Sequence, residues 1–156
     1  MKNVAIITGG DSAEYDISLL SADTVLKNLD RNKFNPYLIE IKNGIWKIKI
    51  DGQFYEISND LFIKVKEIEM KFDHVFMALH GPPAENGDLQ IILEKNNINY
   101  TCCGTKVSKL TFNKYDCNQY LRKFGYNIAD SVLLKEKKQN LNHIKESFKT
   151  PFIVKP

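Results

Sequence analysis

The sequence predicts an α/β fold built on a small, doubly wound sheet, and three observations predict it. The runs Val4-Ala5-Ile6-Ile7-Thr8 and His74-Val75-Phe76-Met77-Ala78-Leu79 are nearly continuous in apolar residues, as a parallel strand covered on both faces requires. Other stretches carry apolar residues at spacings of three and four, the period of a helix with one buried face. The order that results is β-α-β, a hairpin, then β-α-β again, and such alternation places helices on both faces of one sheet.

The first strand runs into Gly9-Gly10, a turn signal. A helix over residues 14–28 follows, with Leu19, Ala22, Leu26 and Leu29 on one face and Val25 beside them. Residues 34–41 return as a strand. Ile45-Trp46-Lys47-Ile48-Lys49-Ile50 alternates, Asp51-Gly52 marks a turn and Phe54-Tyr55-Glu56-Ile57 pairs back, so a hairpin is inserted here. The strand over 74–79 ends at His80-Gly81-Pro82-Pro83. A helix over 88–95 and a short strand over 99–102 complete the second unit, which Gly104 closes. The expected boundary therefore separates a domain of residues 1–103 from a second one over 104–156. In the second, one helix over 107–124, a strand over 128–133, a helix over 141–148 and a strand over 152–155 are expected. A strand reaching almost to Pro156 suggests that the sequence stops partway through this domain.

Twenty-two basic and 19 acidic residues leave a net charge of +3, and the lysines are scattered among acids, which argues against a nucleic-acid partner. No apolar run approaches the roughly 18 residues of a spanning helix, and the start reaches glycine too soon for a signal peptide. The expectation is a cytoplasmic protein with no membrane partner. Cys102, Cys103 and Cys117 form no Cys-x-x-Cys pair, and no histidine stands at zinc-finger spacing, so they read as reduced thiols and no metal site is expected from them.

Four places could carry chemistry. Gly9-Gly10-Asp11-Ser12-Ala13-Glu14 lacks the third glycine of a dinucleotide loop. Glu14 stands where a pyrophosphate would sit, and its carboxylate suits an ammonium group instead. The alternative is a capping box, with Asp11 as N-cap and Glu14 three residues later. His80 lies at the carboxyl end of a central strand, where open α/β sheets bind ligands, or it is a histidine satisfied by loop carbonyls. After it, Glu85-Asn86-Gly87 leads into a helix amino terminus, an anion-friendly position. Lys114 falls on the stripe Leu110, Lys114, Cys117, Leu121, Phe124; it either snorkels its stem along the core or offers a point charge to a phosphate. Lys155 ends the last apolar stretch and, read locally, is a surface terminator.

Together these stretches resemble the D-alanine–D-alanine ligase family of the ATP-grasp superfamily. Gly9-Gly10-x-Ser12-x-Glu14-x-x-Ile17-Ser18 resembles the family's first signature, and His80-Gly81 through Glu85-x-Gly87-x-x-Gln90 its second. Thr111-Phe112-Asn113-Lys114 resembles the opening of the central ATP-binding domain, and Pro151-Phe152-Ile153-Val154-Lys155-Pro156 the first nucleotide-contacting strand. The resemblance implies a Rossmann-like, pre-ATP-grasp domain followed by the first part of an ATP-grasp domain. It implies a reaction in which ATP phosphorylates the carboxylate of one D-alanine and the amine of a second attacks the acyl phosphate, giving a dipeptide for peptidoglycan. Carried over by position, Glu14 binds the first substrate's ammonium and belongs to the catalytic group. Ile17, His80 and Glu85 line the first-substrate site, and Lys114 and Lys155 hold ATP phosphates. Where the family has Gly-Glu-Asp-Gly, this chain has Ala84-Glu85-Asn86-Gly87, which alters the loop around Glu85. The resemblance also implies a homodimer and Mg²⁺ as cofactor, with the magnesium carboxylates and the phosphate loop beyond Pro156, so that this chain alone would be inactive. A D-alanine–D-lactate ligase and a non-catalytic nucleotide- or amino-acid-binding fragment are the competing expectations.

Overall fold

The computed structural model describes residues 1–65, 67–134, 144, 146, 148 and 150–154. The chain divides into two compact units, Met1–Phe112 and Asn113–Pro156. The first holds β1 (Lys2–Gly9), α1 (Tyr15–Asn28), β2 (Phe34–Lys42), β3 (Ile45–Ile50), β4 (Gln53–Ile57), β5 (Ile63–Val65), β6 (Ile68–Met70), β7 (His74–Met77), α2 (Asp88–Lys95), β8 (Asn99–Tyr100) and α3 (Thr105–Phe112).

Its main sheet has the order β4-β3-β2-β1-β7-β8. β1 pairs in parallel with β2 from Lys2↔Phe34 to Gly9↔Ile41, and with β7 from Val4↔His74 to Ile7↔Met77. The hairpin β3–β4 extends the β2 edge in antiparallel fashion. β1 is buried on both faces, which explains its unbroken apolar sequence. Val4 and Ile6 pack with Ala22 of α1, with Val25 and Leu26 alongside, while Ala5 and Ile7 join Ile39, Ile48, Val75, and Leu89 and Leu93 of α2. The two helices therefore cover opposite faces, as a doubly wound sheet demands. Ile6 and Ile7 have no exposed surface, and each such burial contributes about 1.5–3 kcal/mol before entropy is counted.

The chain leaves β1 toward β2 through α1, and leaves β7 toward β8 through α2. The neighbours β1 and β7 are thus the switch point of the sheet, the place at whose carboxyl ends open α/β sheets form their ligand crevice.

Three expectations need correction. The helix expected over 107–124 is two helices, α3 and α4 (Lys114–Arg122), because the Asn113 side chain accepts a hydrogen bond from Asp116 N at 3.1 Å and caps the second one. Residues 128–133 form no strand among the described residues, nor do Phe152–Val154, for want of any ladder partner there. The small β5–β6 ladder, which buries Ile63 and Val65, was not anticipated. The helix expected over 141–148 lies mostly outside the described residues, of which 144 and 146 are helical. Lys155 lies outside them as well. No helix among the described residues is long and apolar enough to cross a membrane.

Candidate active site

The crevice is built from the loop between β1 and α1 and from the loop after β7. At Gly9, with φ at +89°, a Cβ would lie 2.3 Å from the carbonyl oxygen of Ile41, so only glycine lets β1 turn out so close to β2. Gly10 N then donates to that same oxygen at 2.7 Å.

The capping box expected of Asp11 and Glu14 does not form. Asp11 Oδ1 instead accepts from the backbone N–H of Asn43 at 2.5 Å, tying the loop to the β2–β3 turn. The chain turns once more before the helix starts, so Glu14 itself occupies the N-cap position and its side chain makes no capping hydrogen bond. Its backbone N–H donates to Ser12 Oγ at 3.1 Å. The Glu14 carboxylate is thus left exposed at the crevice, with Oε2 3.9 Å from where a Cβ on Gly81 would sit.

His80 is held to α1 and to the loop before it by three serines. Its carbonyl accepts from Ser12 Oγ at 3.1 Å, its backbone N–H donates to Ser18 Oγ at 2.9 Å, and its Nε2 lies 3.0 Å from Ser21 Oγ. Ser18, fully buried, donates its own hydroxyl to the Glu14 carbonyl at 3.1 Å. The structure therefore brings the Glu14 loop against the His80 loop, with Ser12 bonded to both. Ile17, one turn along α1 from Glu14, is 52% exposed.

Glu85 sits further along the same loop, exposed, with its backbone N–H donating to Gly81 O at 3.0 Å. Gln90, buried on α2, braces this loop: its Nε2 donates to Ala84 O at 2.7 Å and Ser108 Oγ at 2.9 Å. Lys114 is the exposed first residue of α4 and belongs to the second compact unit. Among the described residues no group of three or more His, Cys, Asp or Glu side chains could hold a metal ion.

Sequence reasoning missed Ser21 and the pair Tyr15–Glu40. Tyr15 donates its hydroxyl to Glu40 Oε1 at 2.7 Å, and Lys42 Nζ lies 4.4 Å from the ring centroid. The bond to Glu40, aided by burial, pushes the Tyr15 hydroxyl up to about 12. Only the β1–β2 register, invisible in the local sequence, brings these residues together.

The family described as the D-alanine–D-alanine ligase N-terminus matches residues 3–103. This chain belongs to that family. The D-alanine–D-alanine ligase of Azobacteroides pseudotrichonymphae is 41% identical over the whole chain, which covers 49% of that relative. Among solved structures, the D-alanine–D-alanine ligase from Aeromonas hydrophila superposes with a TM-score of 0.78 at 26% identity, covering 94% of this chain and 56% of that one. A D-alanine–D-alanine ligase from Bacillus anthracis complexed with ATP gives 0.70 at 25% identity, covering 94% and 45%. The chain spans about half the length of the curated relatives it matches. The motifs thus pointed to the family that the comparisons find, and its N-terminal model matches residues 3–103.

Proposed function

We propose that the crevice between β1 and β7 is the first-substrate pocket of an ATP-dependent D-alanine–D-alanine ligase. The observation that carries this reading is the Glu14 carboxylate, which has no capping duty and faces the crevice beside His80 and Gly81. It supplies an anion for the ammonium of D-alanine. His80 supplies a polar ring for the carboxylate, Ile17 an apolar surface for the methyl group, and Glu85 a second acid on the loop that closes the pocket. The name of the relatives supports the product, and the ATP complex of a structural neighbour supports the nucleotide.

Lys114 and Lys155 are proposed as point charges for ATP phosphates. Bound ATP would supply the phosphoryl group that activates the substrate carboxylate, and Mg²⁺ would offset the charge on the transferring phosphate. The described residues offer Mg²⁺ no ligand set. A cytoplasmic location, a homodimeric assembly and a product used in peptidoglycan go with this reading.

The test is Glu14→Gln in the full-length protein. Because the side chain makes no capping bond, stability should change by only a few tenths of a kcal/mol, from the lost interaction with the helix dipole. Losing a charge-assisted hydrogen bond to the ammonium should cost about 1.5–3 kcal/mol, or roughly ten- to 150-fold in kcat/KM for the first D-alanine. ATP affinity should stay near wild type. First-site kinetics that do not move would overturn the assignment.

A further inference from the structure

The three serines that hold His80 have hydroxyl protons that can be followed one by one. Ser12 Oγ accepts from Glu14 N and gives its proton to the His80 carbonyl. Ser18 Oγ accepts from His80 N and gives its proton to the Glu14 carbonyl. Ser21 is different. A serine inside a helix usually returns its proton to the carbonyl four residues back, but among the described residues the Ser21 hydroxyl contacts only His80 Nε2, at 3.0 Å.

Donating to Nε2 gives the Ser21 proton an acceptor within the protein, whereas accepting from Nε2 would leave that proton to solvent, which favours donation. A neutral His80 ring must then accept at Nε2, which places its proton on Nδ1. The ring then presents an N–H at Nδ1, the nitrogen with no hydrogen-bond partner among the described residues.

We infer that Ser21 is a positioning residue that locks His80 in the Nδ1–H form, so that the crevice offers a donor, not an acceptor, to a carboxylate-bearing ligand. This rests on the reading of the crevice as the first-substrate pocket. A donor matches a carboxylate oxygen, whereas the other tautomer would set a lone pair against it and repel it.

The experiment uses the full-length protein labelled with ¹⁵N-histidine, with the His80 signals assigned by their loss in His80→Asn. Without ligand, the ¹H–¹⁵N spectrum of the wild type should show the Nδ1–H tautomer. Ser21→Ala should shift His80 toward Nε2–H and raise KM for the first D-alanine about tenfold, the worth of one hydrogen bond, with KM for ATP unchanged. Ser21→Thr, which keeps the hydroxyl, should restore both. A wild-type ring protonated at Nε2, or a Ser21→Ala protein with tautomer and KM unaltered, overturns the inference. A tautomer that follows Ser21 while D-alanine leaves the His80 signals unmoved also overturns the donor role. In that case a retained Glu14→Gln defect keeps the first-substrate reading, and a silent Glu14→Gln removes it too.

Discussion

Gly81→Ala should test how closely the His80 loop must approach α1. Gly81 has φ at +74°, and a Cβ there would lie 2.7 Å from both Cβ and Oγ of Ser12. Ser12 Cβ is fixed to the backbone, so a rotamer change cannot clear it and the loop has to open. Gly44 supplies a matched control: its φ is +72°, yet a Cβ would meet nothing within 4 Å. Gly44→Ala should therefore show the left-handed backbone penalty alone, about 1–2 kcal/mol. Gly81→Ala should add overpacking of about 1–3 kcal/mol and the Ser12–His80 hydrogen bond, about 0.5–1.5 kcal/mol. Urea denaturation of the two variants measures the difference. Ser12→Gly deletes the atoms in the way, so a double-mutant cycle should recover the contact part of the Gly81→Ala loss. If the two alanine variants lose stability equally, to within about 0.5 kcal/mol, the clash does not set the loop's position.

Two further outcomes are expected. The Tyr15 hydroxyl, raised by its bond to Glu40 from 10.0 to about 12 in the fold, contributes stability that is complete below pH 10 and lost as pH rises toward 12. Melting temperatures across that window should fall less steeply in Tyr15→Phe, and equal slopes would show that the bond does not persist in solution. Asn113→Ala should cost about 1 kcal/mol through loss of the α4 cap, read by denaturant unfolding, while Asn113→Ser, which keeps a capping oxygen and adds no charge beside Asp116, should keep most of it; equal losses would mean that the cap contributes nothing.

How much of this fold is legible follows from element length and burial. β1 and α2 could be read because one is apolar on both faces and the other carries its buried positions at helical spacing, Leu89 with Leu93. β5 and β6 could not, because Ile63-Lys64-Val65 and Ile68-Glu69-Met70 alternate over only three residues each, too few to set one period against another. The break at Asn113 was hidden by a continuous stripe. Asparagine within a helix costs only a fraction of a kcal/mol by propensity, so the pattern passes through it whether the residue stays helical or caps a new start. Phe124, counted on that stripe, lies past the end of α4 and is 63% exposed.

The site was legible as a set of residues but not as a set of bonds. Asp11 and Glu14 satisfy the capping-box pattern, and sequence alone cannot say whether the pattern is used. Two longer-range partners decide it. The Asn43 amide, in a turn with φ at +51°, draws Asp11 away from the helix, and Ser12 then receives the Glu14 N–H in its place. The same Ser12 hydroxyl donates to the His80 carbonyl, so one side chain both starts α1 and docks the loop after β7. That double duty requires Ser12 to sit against Gly81, which is why the position beside His80 has no room for a Cβ. It also relieves Glu14 of capping, and a carboxylate without a structural bond at the mouth of the crevice is what an incoming ammonium group would need.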